Sequence, residues 1–126
     1  VPATSLKIQD NGGNTKKKAQ KIVHKKRISG LMAAGEKGNS ADWFKFTLTK
    51  NNKVKIELET MGNDAFSFYL YGPSYKKGID IASLKNDTVD FQNNITLKKG
   101  TYYIKVVRAS KKSMASGAYG IRWSMQ

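Results

Sequence analysis

Five aromatic residues, Trp43, Tyr69, Tyr71, Tyr75 and Tyr103, fall out of step with the apolar residues beside them. Trp43 precedes an alternation carried by Phe44, Phe46 and Leu48. Tyr69 and Tyr71 interleave with Phe66, Phe68 and Leu70, and Tyr103 with Tyr102, Ile104 and Val106. Successive side chains on a strand point to opposite faces, so these rings are expected on outer faces or loops rather than in a core. An exposed ring can stack on a sugar, a peptide proline or a base. The plainer reading is that a neighbouring loop covers each of them. Basic clusters accompany the rings: Lys16-Lys17-Lys18, Lys25-Lys26-Arg27, Lys76-Lys77, Lys98-Lys99 and Lys111-Lys112. They are either a solvated surface or a means of attachment to an anionic polymer such as teichoic acid, an acidic glycan, mucin or nucleic acid. Lysine outnumbers arginine 20 to 3. Arginine is the better residue for bidentate recognition of phosphates and bases, so the balance favours diffuse attraction over sequence readout. No RNA-binding or helix-turn-helix signature is present.

Residues for covalent or acid–base chemistry are scarce. His24 is the sole histidine and lies in His24-Lys25-Lys26-Arg27; it is expected to be solvated, with no positioned partner for catalysis and no further ligands for a metal. No G-x-S-x-G elbow occurs. Glu57 and Glu59 are paired carboxylates of the kind a glycosidase uses, but they share a strand face with Lys53 and Lys55 and are expected to form surface ion pairs. Asp42 is read as a strand-end residue bonding local backbone N–H groups. The chain has no cysteine, which excludes disulfides, thiolate metal sites and cysteine nucleophiles. It is therefore not expected to be an enzyme.

The elements that position these residues read as strands. Phe44, Phe46 and Leu48, then Val54, Ile56 and Leu58, form two alternating runs around a polar Lys50-Asn51-Asn52-Lys53 turn, which predicts an antiparallel hairpin with one side buried. Further strands are expected at 28–32, 65–71, 88–97, 101–107 and through Tyr119, Ile121 and Trp123. Gly-Pro at 72–73 and Lys-Lys-Gly at 98–100 supply turns. Residues 16–27 could form a short helical turn or an edge strand, and residues 76–86 a loop or weak strand. Many short strands with little helical periodicity predict an all-β, antiparallel sandwich. The 126 residues suffice for one domain, with residues 1–13 as an arm and 14–126 as the folded unit. No apolar run approaches the length of a membrane-spanning helix. The net charge of +14 is concentrated at the two ends, residues 1–40 and 101–126, while residues 41–75 balance. One basic side is expected, built from Lys16–18, Lys25–Arg27 and Lys111–112, with a neutral side formed by the hairpin.

Several segments together resemble a known family. They are Ile28-Ser29-Gly30, Asp42-Trp43-Phe44-Lys45-Phe46, Val54-Lys55-Ile56-Glu57-Leu58, Tyr69-Leu70-Tyr71-Gly72-Pro73, the run from Leu97 through Gly100-Thr101-Tyr102-Tyr103-Ile104-Lys105-Val106, and Ser116-Gly117-Ala118-Tyr119-Gly120-Ile121. This set looks like the bacterial pre-peptidase C-terminal domain, which is similar to the collagen-binding domains of clostridial collagenases. The resemblance spans roughly residues 14–126. It implies a jelly-roll-like sandwich in a secreted or surface-bound bacterial protein, and a non-catalytic role in attachment to a matrix protein, glycan or cell-wall polymer. Some members bind calcium. Asp42 matches the last acidic position of that loop and Asn39 stands where an earlier one would be, but the N-terminal segment offers only Asp10, Asn11 and Asn14 beside three lysines. Calcium needs six to eight oxygens, several from carboxylates, so no cofactor is expected. The candidate ligand-binding residues are Trp43, Tyr69, Tyr71, Tyr103, Lys16, Lys17, Lys18, Lys25, Lys26, Arg27, Lys111 and Lys112. The alternative reading is a small basic nucleic-acid-binding β-barrel.

Overall fold

Alternating apolar residues dictate two layers of strands that close on one another. The computed structural model describes residues 16–32, 41–61, 65–73, 75–85, 91–108 and 117–125. The predicted arm at 1–13, the loop at 35–40, the turn at 62–64 and the loop at 109–116 lie outside the described residues. The strands are β1 (Gln20–Lys21), β2 (Ile28–Met32), β3 (Ala41–Leu48), β4 (Asn52–Met61), β5 (Ala65–Gly72), β6 (Tyr75–Lys85), β7 (Phe91–Leu97), β8 (Gly100–Arg108) and β9 (Gly117–Met125). They form a five-stranded sheet, β1-β3-β8-β5-β6, and a four-stranded sheet, β2-β9-β4-β7. All pairings are antiparallel except the two-residue contact of β1 with β3. The fold is an all-β sandwich.

The predicted hairpin does not form. β3 pairs with β8 in one sheet, while β4 pairs with β9 and β7 in the other. The Lys50–Lys53 connection crosses between layers instead of folding back within one. Both runs bury their even-numbered residues, so their apolar faces meet across the core. Alternation fixes which face is buried; it carries no information on which strand lies alongside. Residues 76–86, read as a loop or weak strand, mostly belong to β6, an 11-residue partner of β5. Asn93, in the middle of β7, faces inward and donates from Nδ2 to the Ile81 carbonyl (3.0 Å), tying the edge strands of the two sheets together.

All the residues predicted for the core, from Phe44 through Trp123, are buried. An aromatic column crosses it: Phe46 stacks on Tyr102 (centroids 5.6 Å apart) and on Trp123 (4.6 Å). Tyr119 is packed by Phe44, Phe66 and Phe68. Rings of this size each bury a large apolar area. At the open edge, residues 22–25 strap the layers together. The Ile22 N–H donates to the Lys45 carbonyl (2.8 Å), Trp123 Nε1 donates to the Ile22 carbonyl (2.9 Å), and the Lys25 N–H donates to the Trp123 carbonyl (2.9 Å).

Candidate functional site

Strand parity decides which residues share the outer face of the five-stranded sheet. β3, β5 and β8 bury their even residues, so their odd residues turn outward. The register then sets two rows. Trp43 lies opposite Lys105, and Lys105 opposite Tyr69; Lys45 lies opposite Tyr103, and Tyr103 opposite Tyr71. All six are half-buried, with ring and ammonium groups interleaved across three strands. The Trp43 and Tyr71 rings approach to 5.3 Å at 43°. Lys105 Nζ lies 5.3 Å from the Trp43 ring centre. Lys16 Nζ leans over the same face from a single 3-10 turn (Lys16–Lys18), 4.9 Å from the Tyr103 ring and 5.8 Å from Tyr71. Register shifts in the β5–β6 pairing help aim Tyr69 and Tyr71. The Tyr71 ring lies directly over Gly78, where a Cβ would come within 2.6 Å of it. The backbone there has φ of 78°, so glycine is required on both counts.

The structure thus gathers Trp43, Tyr69, Tyr71, Tyr103 and Lys16 on one surface. Lys45 and Lys105 were missed, although they share parity with Trp43 and Tyr103 and the register could not place them elsewhere. Tyr75 is not on this face: it packs against the core. Lys17 and Lys18 are exposed on the turn that carries Lys16. Lys25 and Lys26 are exposed on the strap, where Lys25 is anchored to the four-stranded sheet. Lys111, Lys112 and Asn39 lie outside the described residues.

Arg27 departs from its predicted role. It is no surface cation: its Nη1 donates to Glu59 Oε1 at 2.6 Å, and its Nη2 lies 4.0 Å from Glu57 Oε2. Glu59 is 3% exposed and lies over Gly120, whose missing side chain leaves room for it. Glu57 also lies 3.8 Å from Arg122 Nε and from Lys55 Nζ. The carboxylates therefore pair mainly with arginines of neighbouring elements, not with Lys53, because β9, which carries Arg122, lies beside β4, and Arg27 immediately precedes β2 on the far side of β9. The neutral hairpin side does not exist as predicted, and Arg27 drops out of the predicted basic side. The hairpin's two strands belong to opposite layers, and Arg27 is neutralised.

Asp42 is fully buried and faces inward, accepting a hydrogen bond from the Tyr119 hydroxyl. Its parity with Phe44, Phe46 and Leu48 signals this in the sequence. Among the described residues no group of three or more His, Cys, Asp or Glu converges. His24 is half-buried rather than solvated: its ring lies 5.0 Å from Trp123, and Nε2 accepts from the Met125 N–H (2.9 Å). It borders a cleft of about 450 Å³ with Trp123, Lys21, Thr47 and Thr49, and among the described residues no carboxylate lines that cleft. Tyr102 donates to the Lys98 carbonyl (2.7 Å), and burial, reinforced by nearby Tyr75, pushes its phenol above the ordinary range.

Known proteins share this architecture. The pre-peptidase C-terminal domain of a Bacillus anthracis collagenase superposes with a TM-score of 0.65 at 17% identity, covering 83% of this chain and 93% of that one. Two periplasmic inhibitors of g-type lysozyme are also similar. The Aeromonas hydrophila protein gives a TM-score of 0.59 at 14% identity, over 85% of this chain and 95% of its own. The Salmonella Typhimurium protein gives 0.54 at 17%, over 83% and 97%. These likenesses show the fold alone. No curated protein matches the sequence. The model of the bacterial pre-peptidase C-terminal domain matches residues 40–108, more than half of the chain, and the chain belongs to that family.

Proposed function

We propose that this is a non-catalytic attachment module of a secreted or cell-surface bacterial protein, and that it holds an extracellular polymer on the outer face of its five-stranded sheet. One observation carries the reading: Trp43, Tyr69, Tyr71 and Tyr103 share one face with Lys16, Lys45 and Lys105, within reach of solvent. A flat array of rings suits a repeating, extended ligand, because successive units can stack on successive rings. The ammonium groups add attraction for anionic chains and raise the encounter rate. Membership in a family represented by a domain of a collagenase supports an accessory role. No described helix is long and apolar enough to cross a membrane.

Chemical-shift mapping with three probes tests this: a polygalacturonate oligomer, solubilised wall material bearing teichoic acid, and a collagen peptide. At least one should perturb residues 43, 45, 69, 71, 103 and 105 together. Perturbations confined to the opposite sheet, or to the His24 cleft, would overturn the assignment. The module works without a resident metal on this reading. Millimolar calcium should leave the Tm nearly unchanged, since a ligand that binds only the folded state must raise it. A rise of several degrees would contradict that.

A further inference from the structure

On the reading that this face takes a polymer, we infer that Lys16 makes it selective for an acidic polysaccharide over the neutral form of the same chain. The rings are not bare. Lys16 Nζ caps Tyr103 and Tyr71, and Lys105 Nζ caps Trp43. A ligand that stacks on these rings must first move the ammonium from the π face. A neutral pyranose gives the displaced cation nothing in return. A uronate or sulfated sugar brings its own anion to the same spot, so the lysine exchanges a ring for a carboxylate or sulfate while the sugar takes the ring. The cap thus opposes neutral sugars and turns into a contact for acidic ones.

Lys16 is the movable cap. It comes from an exposed turn outside the sheet, whereas Lys105 grows from β8 within it and is half-buried. Buried Ala19 and Ile22, together with the bond from the Ile22 N–H to Lys45, hold that turn beside β3. The charges favour a polysaccharide over a polynucleotide. Arg27 and Arg122, two of the three arginines, are engaged by Glu57 and Glu59 on the other sheet. On the face itself the row through Trp43, Lys105 and Tyr69 ends opposite exposed Asp80 on β6. A strand-tracking nucleic-acid site requires a continuous basic groove, and this is a flat sheet with an acid at its margin. The single rings match the low-profile C–H face of a pyranose.

The test uses calorimetric titration at low salt with four probes: polygalacturonate, its methyl ester, polyglutamate and oligothymidylate. The ester keeps the rings and removes the charge; polyglutamate keeps charge without rings. The unaltered protein should prefer the acid to the ester by roughly tenfold. Lys16→Gln keeps the length of the side chain and removes its charge. It should weaken binding of the acid and strengthen binding of the ester, each by about two- to fivefold, the range set by one exposed cation–π contact. An ester affinity that falls or stays fixed in Lys16→Gln would overturn the selective role of the cap while leaving the face as the site. Equal affinity of the unaltered protein for acid and ester, or polyglutamate binding as well as polygalacturonate, would also overturn it. Tighter binding of oligothymidylate would replace the polysaccharide with a nucleic acid. If Trp43→Ala left the affinity of every probe unchanged, the reading of the face itself would fail.

Discussion

The two outer faces of the sandwich are built on the same alternation and carry opposite kinds of surface. On the four-stranded sheet, Arg27, Arg122 and Lys55 pair with Glu57 and Glu59, and Glu59 is nearly lost to solvent. On the five-stranded sheet, Lys16, Lys45 and Lys105 stand among aromatic rings, and the contacts that hold Lys16 and Lys105 among the described residues are weak cation–π ones. A charge whose partner lies inside the protein contributes to stability. One whose partner is a polarisable ring can be transferred to a ligand at small cost. Net charge does not distinguish the two cases; the identity of the partner does.

Arg27→Ala should make the largest difference. It strands the buried Glu59 carboxylate, and the partly exposed position of Arg27 brings the loss below that of a fully buried pair, to about 2–3 kcal/mol. Denaturant unfolding should show this, while polymer binding is unchanged. A loss of binding would mean the two faces are coupled. The mirror experiment is the double substitution Trp43→Ala with Tyr103→Ala. Removing two stacking rings should weaken binding at least about tenfold, with a much smaller change in stability because both rings are half exposed. A collapse in Tm would move these rings from the binding surface into the structural account.

The smallest effect concerns a residue between the faces. Tyr102 keeps its proton above the ordinary tyrosine value of about 10 because it is buried beside Tyr75. As pH climbs from that value toward the raised one, the unfolded chain releases a proton that the folded chain retains, so stability declines through the window. Tyr102→Phe should flatten this alkaline slope and lower neutral-pH stability by about 1 kcal/mol, through loss of the bond to the Lys98 carbonyl. Polymer affinity should not change. An unaltered slope would show that other groups cause the alkaline decline.

Much of this was legible in the sequence because strand parity is a local property. Parity alone placed Phe44, Ile56, Phe68 and Ile104 in the core and turned Trp43, Tyr71 and Tyr103 outward. Applied without regard to residue type, it would also have buried Asp42 and added Lys45 and Lys105 to the face. Strand neighbours were not legible. Adjacent in sequence, β3 and β4 look like a hairpin, yet they separate into different sheets, because either arrangement buries the same side chains. The fates of the basic residues were equally hidden. Arg27 and Lys16 read alike as cations near the chain start, and only the sheet order brings Glu59 to one and Tyr103 to the other.

Matched charge reversals measure the central claim most directly. Lys45→Glu with Lys105→Glu alters the aromatic face; Lys53→Glu with Lys55→Glu alters the opposite sheet; both pairs change net charge by the same amount. Their affinities for polygalacturonate should be compared at low salt, where exposed charges are least screened. The account predicts that binding is largely lost in the first variant and mostly retained in the second. Equal losses in both would show that total charge alone attracts the polymer, and would contradict a binding face on the five-stranded sheet.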